Sequence, residues 1–75
     1  PDPEPYLRGA QALGAAPEAC IVLEDAPSGV ESGVRAGMRV IGILTTHTAQ
    51  HLSAATCLIK SLRELPDALR SVSNQ

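Results

Sequence analysis

Apolar residues along this chain alternate between helical stripes and short continuous runs. In residues 1–14, "PDPEPYLRGAQALG", Tyr6, Leu7, Ala10 and Leu13 recur at helical spacing on one face. Asp2 can cap that helix, Pro3 fits its first turn, Glu4 adds a favourable negative charge there, and Gly14 supplies a stop. Residues 20–24, "CIVLE", lack this period. An unbroken apolar run of that length is typical of a strand buried on both faces.

The pattern then repeats. Residues 27–38 place Val30, Val34 and Met38 four apart, which predicts a helix with Ser28 as candidate N-cap, Glu31 at the capping-box position and Gly37 as terminator. Gly29 and Gly33 lower helix propensity, and their bare backbone allows the helix to lie close to a sheet. "RVIGIL", residues 39–44, is a second strand. Residues 45–55 are expected to form a loop and a short helix capped by Thr46 or Thr48, and "TCLI" a brief third strand. A helical turn and a last helix opened by Pro66 follow, before the polar end Ser73, Asn74 and Gln75.

Apolar strands alternating with helices imply right-handed crossovers and a parallel sheet covered on both faces. The fold class is therefore α/β, either a whole layered domain or half of one. In such sheets ligands bind beyond the carboxyl ends of the strands.

Composition narrows this reading. With 75 residues and Tyr6 as the only aromatic, the core rests on Ala, Val, Leu and Ile, which is thin for an independent domain. The chain also opens at Pro1 rather than Met, so it is read as a fragment. A net charge of −2 with scattered Lys and Arg lacks the clustered basic footprint of a nucleic-acid binder, and Arg39, like the other basic residues, carries no motif and reads as solvated. Cys20 and Cys57, far apart, read as reduced thiols rather than a disulfide framework. No run is long and apolar enough to span a membrane, and no signal-peptide pattern opens the chain, so the expected location is cytoplasmic.

The chemistry concentrates at Glu24 and Asp25, which stand side by side where the first strand ends. Adjacent carboxylates repel each other, and burying them is costly unless something positive compensates. A hard divalent cation such as Mg²⁺ needs only one or two protein carboxylates, the rest of its shell being water and phosphate oxygen. The following "APSG" opens a helix whose amides can steady the carboxylate loop or a bound anion. Thr45 and Thr46 end the second strand on the same edge, where loop capping is their simpler role. His47 and His51 have chelate spacing but no Cys or acidic partner nearby, and they read as solvent-facing.

Taken together, "PDPEPYLRGAQALG", "VLEDAPSGVESGVRAGM" and "VIGILTT" resemble the C-terminal part of haloacid dehalogenase-like (HAD) phosphohydrolases. The resemblance is to the branch that holds sugar and polyol phosphatases and β-phosphoglucomutase. It fades after about residue 60. It implies a Rossmann-like core, with residues 1–75 as its C-terminal part and the cap and N-terminal motifs lying elsewhere. It also implies Asp25 as a direct Mg²⁺ ligand. Glu24 would support that metal site or bond a Lys that normally stands just before a "P-x-P" such as Pro1-Asp2-Pro3.

The chemistry implied is hydrolysis of a small sugar or polyol phosphate through an aspartyl-phosphate. Nothing in the chain resembles the nucleophile motif, so the isolated 75 residues are expected to be inactive. A β-phosphoglucomutase-like phosphomutase and a non-catalytic truncated product stand as alternatives. A response-regulator module, for which Lys60 has suitable spacing, fits the sequence less well. No nucleic-acid or membrane partner is expected.

Overall fold

The computed structural model describes residues 1–74; Gln75, the end of the polar tail, lies outside the described residues. Helix α1 (Glu4–Leu13) leads through a short 3-10 turn (Pro17–Ala19) into strand β1 (Ile21–Glu24). Helix α2 (Pro27–Arg35), strand β2 (Arg39–Ile43), strand β3 (Cys57–Ile59), a second 3-10 turn (Leu62–Glu64) and helix α3 (Leu65–Ser73) follow. The three strands pair in parallel in the order β1-β2-β3. Val22 lies beside Val40, Glu24 beside Gly42, and Gly42 beside Leu58. The expected α/β fold with its parallel sheet is the observed one.

Alternation along the strands builds two cores. On one face Val22, Val40 and Leu58 pack with Ala10 of α1, Val30 of α2, Ala36, Met38 and Leu52. On the other, Ile41 and Ile59 pack against Ala68 and Val72 of α3. Val30, Val40, Ile41, Leu52 and Val72 are almost completely buried. Burying a side chain of this size contributes about 1.5–3 kcal/mol.

Local chemistry explains the element ends. Helices α1 and α2 both close on a left-handed glycine, Gly14 at φ 67° and Gly37 at φ 81°. In each, the glycine and its successor donate to carbonyls of the last turn: Gly14 to Gln11 and Ala15 to Ala10, Gly37 to Val34 and Met38 to Gly33. Gly33 is where α2 touches the sheet, since a Cβ there would come within 2.8 Å of Val40 Cγ2. The expected close approach is thus made at this glycine.

Three expectations are corrected. Ser28 is not the N-cap of α2: the extended residue is Ala26, Pro27 takes the first helical position, and no side chain caps this end. Proline at that position already sets a helical φ. The capping box is instead formed by Ser61 and Glu64 before the last helix, where Ser61 leaves β3 in an extended conformation. Residues 45–55 form turns rather than a helix. His51 N–H donates to Thr48, and Ala55 N–H to Leu52, so the segment is too short to propagate an α-helical ladder. Leu52 pins it against β2, within 3.4 Å of the position a Cβ on Gly42 would take. Finally, Arg39 is not a solvated surface charge: its guanidinium donates to the Val72 carbonyl at 2.8 Å and the Glu18 carbonyl at 3.2 Å, tying α3 to the turn before β1.

The outer edge of β1 carries no partner strand among the described residues. Beside it runs an open groove of about 270 Å³, lined in part by Leu13, Cys20, Val22 and Leu23. Leu23 is 42% exposed and Leu13 80%.

Candidate functional site

Glu24 and Asp25 are neighbours in sequence but occupy different environments. Alternation along β1 puts Glu24 on the face of Val22, toward α1 and α2, where it is half-buried, while Asp25 is exposed. From α1 the Tyr6 hydroxyl donates to Glu24 Oε2 at 2.6 Å. The other oxygen, Oε1, accepts from the backbone N–H groups of Asp25 at 3.1 Å and Ala26 at 3.3 Å. Three donors from the described residues therefore engage this carboxylate. Charge-assisted hydrogen bonds of this kind are stronger than neutral ones, which is what makes the half-buried charge tolerable.

Gly29, in the first turn of α2, makes the arrangement possible. A Cβ at this position would overlap the Glu24 carboxyl group. The amides of Asp25 and Ala26, just ahead of α2, thus hold the Glu24 side chain within the loop. Burial of the phenol, then the hydrogen bond and negative charge of Glu24, push the Tyr6 pKa up to about 12.

Asp25 is the carboxylate left facing solvent at the carboxyl end of the sheet. The only hydrogen bond to its side chain among the described residues is a long one, from the Thr45 hydroxyl at 3.4 Å to Oδ2. Thr45 follows β2, so the two residues close adjacent strands on one edge. A hard oxygen donor in this position fits a Mg²⁺ ion as a single anchor. The described residues contain no group of three or more His, Cys, Asp or Glu able to hold a metal, so the remaining ligands would come from water, phosphate or other chain segments.

The other candidates stay outside the site. His47 and His51 are exposed, their rings meeting edge-to-face with centroids 5.9 Å apart, and His51 Nδ1 lies 3.2 Å from the Thr48 hydroxyl. Cys20 and Cys57 are free and half-buried. No helix among the described residues is long and apolar enough to cross a membrane.

Sequence reasoning missed Tyr6, which had been assigned only to the apolar stripe of α1. The available signal was chemical: a tyrosine on a buried helix face needs a partner for its hydroxyl. A carboxylate at the end of the adjoining strand was the nearest candidate.

The profile of the haloacid dehalogenase-like hydrolases matches residues 1–43, more than half of the chain. The chain belongs to this family. Within it, hexitol phosphatase A of Escherichia coli K12 is 43% identical over 65 residues, 87% of this chain and 30% of that protein. A HAD family hydrolase from Deinococcus radiodurans R1, solved with bound phosphate and sodium, superposes with a TM-score of 0.86 at 35% identity. That match covers 97% of this chain and 35% of the other. A β-phosphoglucomutase from Clostridium difficile superposes with a TM-score of 0.87 at 28% identity, covering 99% of this chain and 32% of the other. The HAD chain described here spans about 30% of the length of the curated relatives it matches.

Proposed function

We propose that residues 1–75 form the C-terminal part of the catalytic core of a Mg²⁺-dependent HAD phosphatase that hydrolyses a small sugar or polyol phosphate. The observation carrying this reading is the exposed Asp25 carboxylate at the carboxyl end of β1, in a chain 43% identical to a hexitol phosphatase. Asp25 and Glu24 together supply the acidic part of the metal site. Asp25 holds the ion, and Glu24 organises the loop that carries Asp25. When bound, Mg²⁺ supplies positive charge against the oxygens of a phosphoryl group. Thr45 orients Asp25 from the neighbouring strand end.

The nucleophile, its acid/base partner and the elements that select substrate lie outside these residues, so the 75-residue chain alone is inactive. The solved relative with bound phosphate supports a phosphate-handling site in this fold. A phosphomutase is the second reading, supported by the close superposition on a β-phosphoglucomutase.

The test is a panel of hexitol, glycerol and hexose phosphates presented to the full-length protein. Release of inorganic phosphate is the expected result. Interconversion of hexose phosphates without phosphate release favours the mutase. Inertness toward every phosphate ester overturns both.

A further inference from the structure

The family resemblance has Glu24 support the metal site of Asp25 or bond a Lys, and within the described residues both of its oxygens are engaged. Oε2 takes the Tyr6 hydroxyl, and Oε1 takes the amides of Asp25 and Ala26. The amide of Asp25 belongs to the residue whose side chain is the exposed carboxylate. Whatever fixes Glu24 therefore fixes the backbone of Asp25 as well. Gly29 closes the remaining side of the pocket, where no larger residue fits beside the Glu24 carboxyl group.

We propose that Tyr6 is a positioning residue for the metal site: through Glu24 it sets the backbone, and so the carboxylate, of Asp25. This rests on the reading of Asp25 as a metal ligand. In it the acidic pair divides its labour, Asp25 meeting the cation and Glu24 acting as a bracket between helix α1 and the β1–α2 loop. Tyr6 lies 18 residues before Glu24. Its whole effect passes through one 2.6 Å hydrogen bond. Partners that orient metal ligands from behind typically change metal affinity by about 10–100-fold when removed. Tyr6 acts at one further remove, so an effect of about 10-fold, the low end, is expected.

The experiment measures Mg²⁺ binding to the full-length protein by calorimetry, and Mn²⁺ binding by electron paramagnetic resonance, both without substrate. Tyr6→Phe keeps the ring and removes only the hydroxyl, while Glu24→Gln weakens the same link from its other end. Each is expected to loosen binding about 10-fold, and the double variant little further, because both break one chain of contacts. Asp25→Asn is expected to abolish binding.

Unchanged metal affinity in both Tyr6→Phe and Glu24→Gln overturns the proposal and leaves the Tyr6 contact with a role in folding alone. Loss of binding in Glu24→Gln as complete as in Asp25→Asn also overturns it, making Glu24 a ligand. Full binding by Asp25→Asn overturns the metal reading itself, and with it this proposal.

Discussion

Tyr6 and Glu24, 18 residues apart, are joined by a 2.6 Å hydrogen bond from the phenol to the carboxylate. That bond ties the first helix to the loop after the first strand, and it perturbs the phenol. The native pKa of Tyr6, about 12, lies above its ordinary value of 10.0. Below pH 10 the phenol is protonated in both folded and unfolded states, so the contact's contribution to stability is fully present. Between pH 10 and about 12 only the unfolded state ionises, and that contribution is lost as pH rises. Because Tyr6 is the only tyrosine in the chain, phenolate absorbance follows this group alone. Titration near pH 12 is expected for the folded segment, and titration near 10 shows that the contact does not form.

Two glycines should respond oppositely to alanine. In Gly33→Ala the new methyl meets Val40 within 2.8 Å in a fully packed core, and a loss of about 1–3 kcal/mol is expected. Gly9 lies in the exposed part of α1 with nothing within 4 Å of its Cβ position. Gly9→Ala should stabilise by about 0.5–1 kcal/mol through helix propensity. Urea midpoints of the two variants, measured side by side in the full-length protein, check the contrast. A shift of the same sign in both contradicts the packing described for α2.

The free edge of β1 makes the isolated chain prone to self-association, because Leu23 and Leu13 stand exposed beside an unpaired strand. Leu23→Lys should reduce it, a charge on an edge strand being an effective block. Sedimentation velocity over a concentration series of both chains reads the effect. Equal association of the two places the sticky surface elsewhere.

Much of the fold was legible because strand and helix periods differ so clearly here. The runs at residues 20–24 and 39–44 are apolar on consecutive positions, the mark of strands covered on both faces. Gly14 and Gly37 were readable as helix stops because the left-handed residue that ends a helix is usually glycine. What failed had competing local solutions. The pattern Ser-x-x-Glu occurs at both Ser28 and Ser61, and only the geometry before each decides which one caps. The turns at residues 45–55 depend on Leu52 reaching across Gly42, a long-range contact invisible in a local window.

At the site, the position of the acidic pair followed from the strand-end rule. The division between Glu24 and Asp25 did not, since it depends on Tyr6, 18 residues before Glu24, being folded back over the strand by α1. Arg39 was misread for a similar reason: its carbonyl partners, Glu18 and Val72, lie 21 and 33 residues away.

The isolated chain should also show no turnover of any phosphate ester, because it offers one exposed carboxylate at the sheet edge and no cluster able to hold a metal among the described residues. Phosphate release by the purified 75 residues, abolished by Asp25→Asn, contradicts that expectation.

The most direct test of the central claim is the Mg²⁺ activation curve of phosphate release by the full-length protein and its Asp25→Asn variant. Turnover that rises with Mg²⁺ in the native protein and falls at least about 100-fold in Asp25→Asn at every Mg²⁺ concentration is the expected result, the size reflecting loss of a ligand rather than of its support. Native-like turnover by Asp25→Asn, with the same Mg²⁺ dependence, contradicts the assignment of this strand end as the metal site.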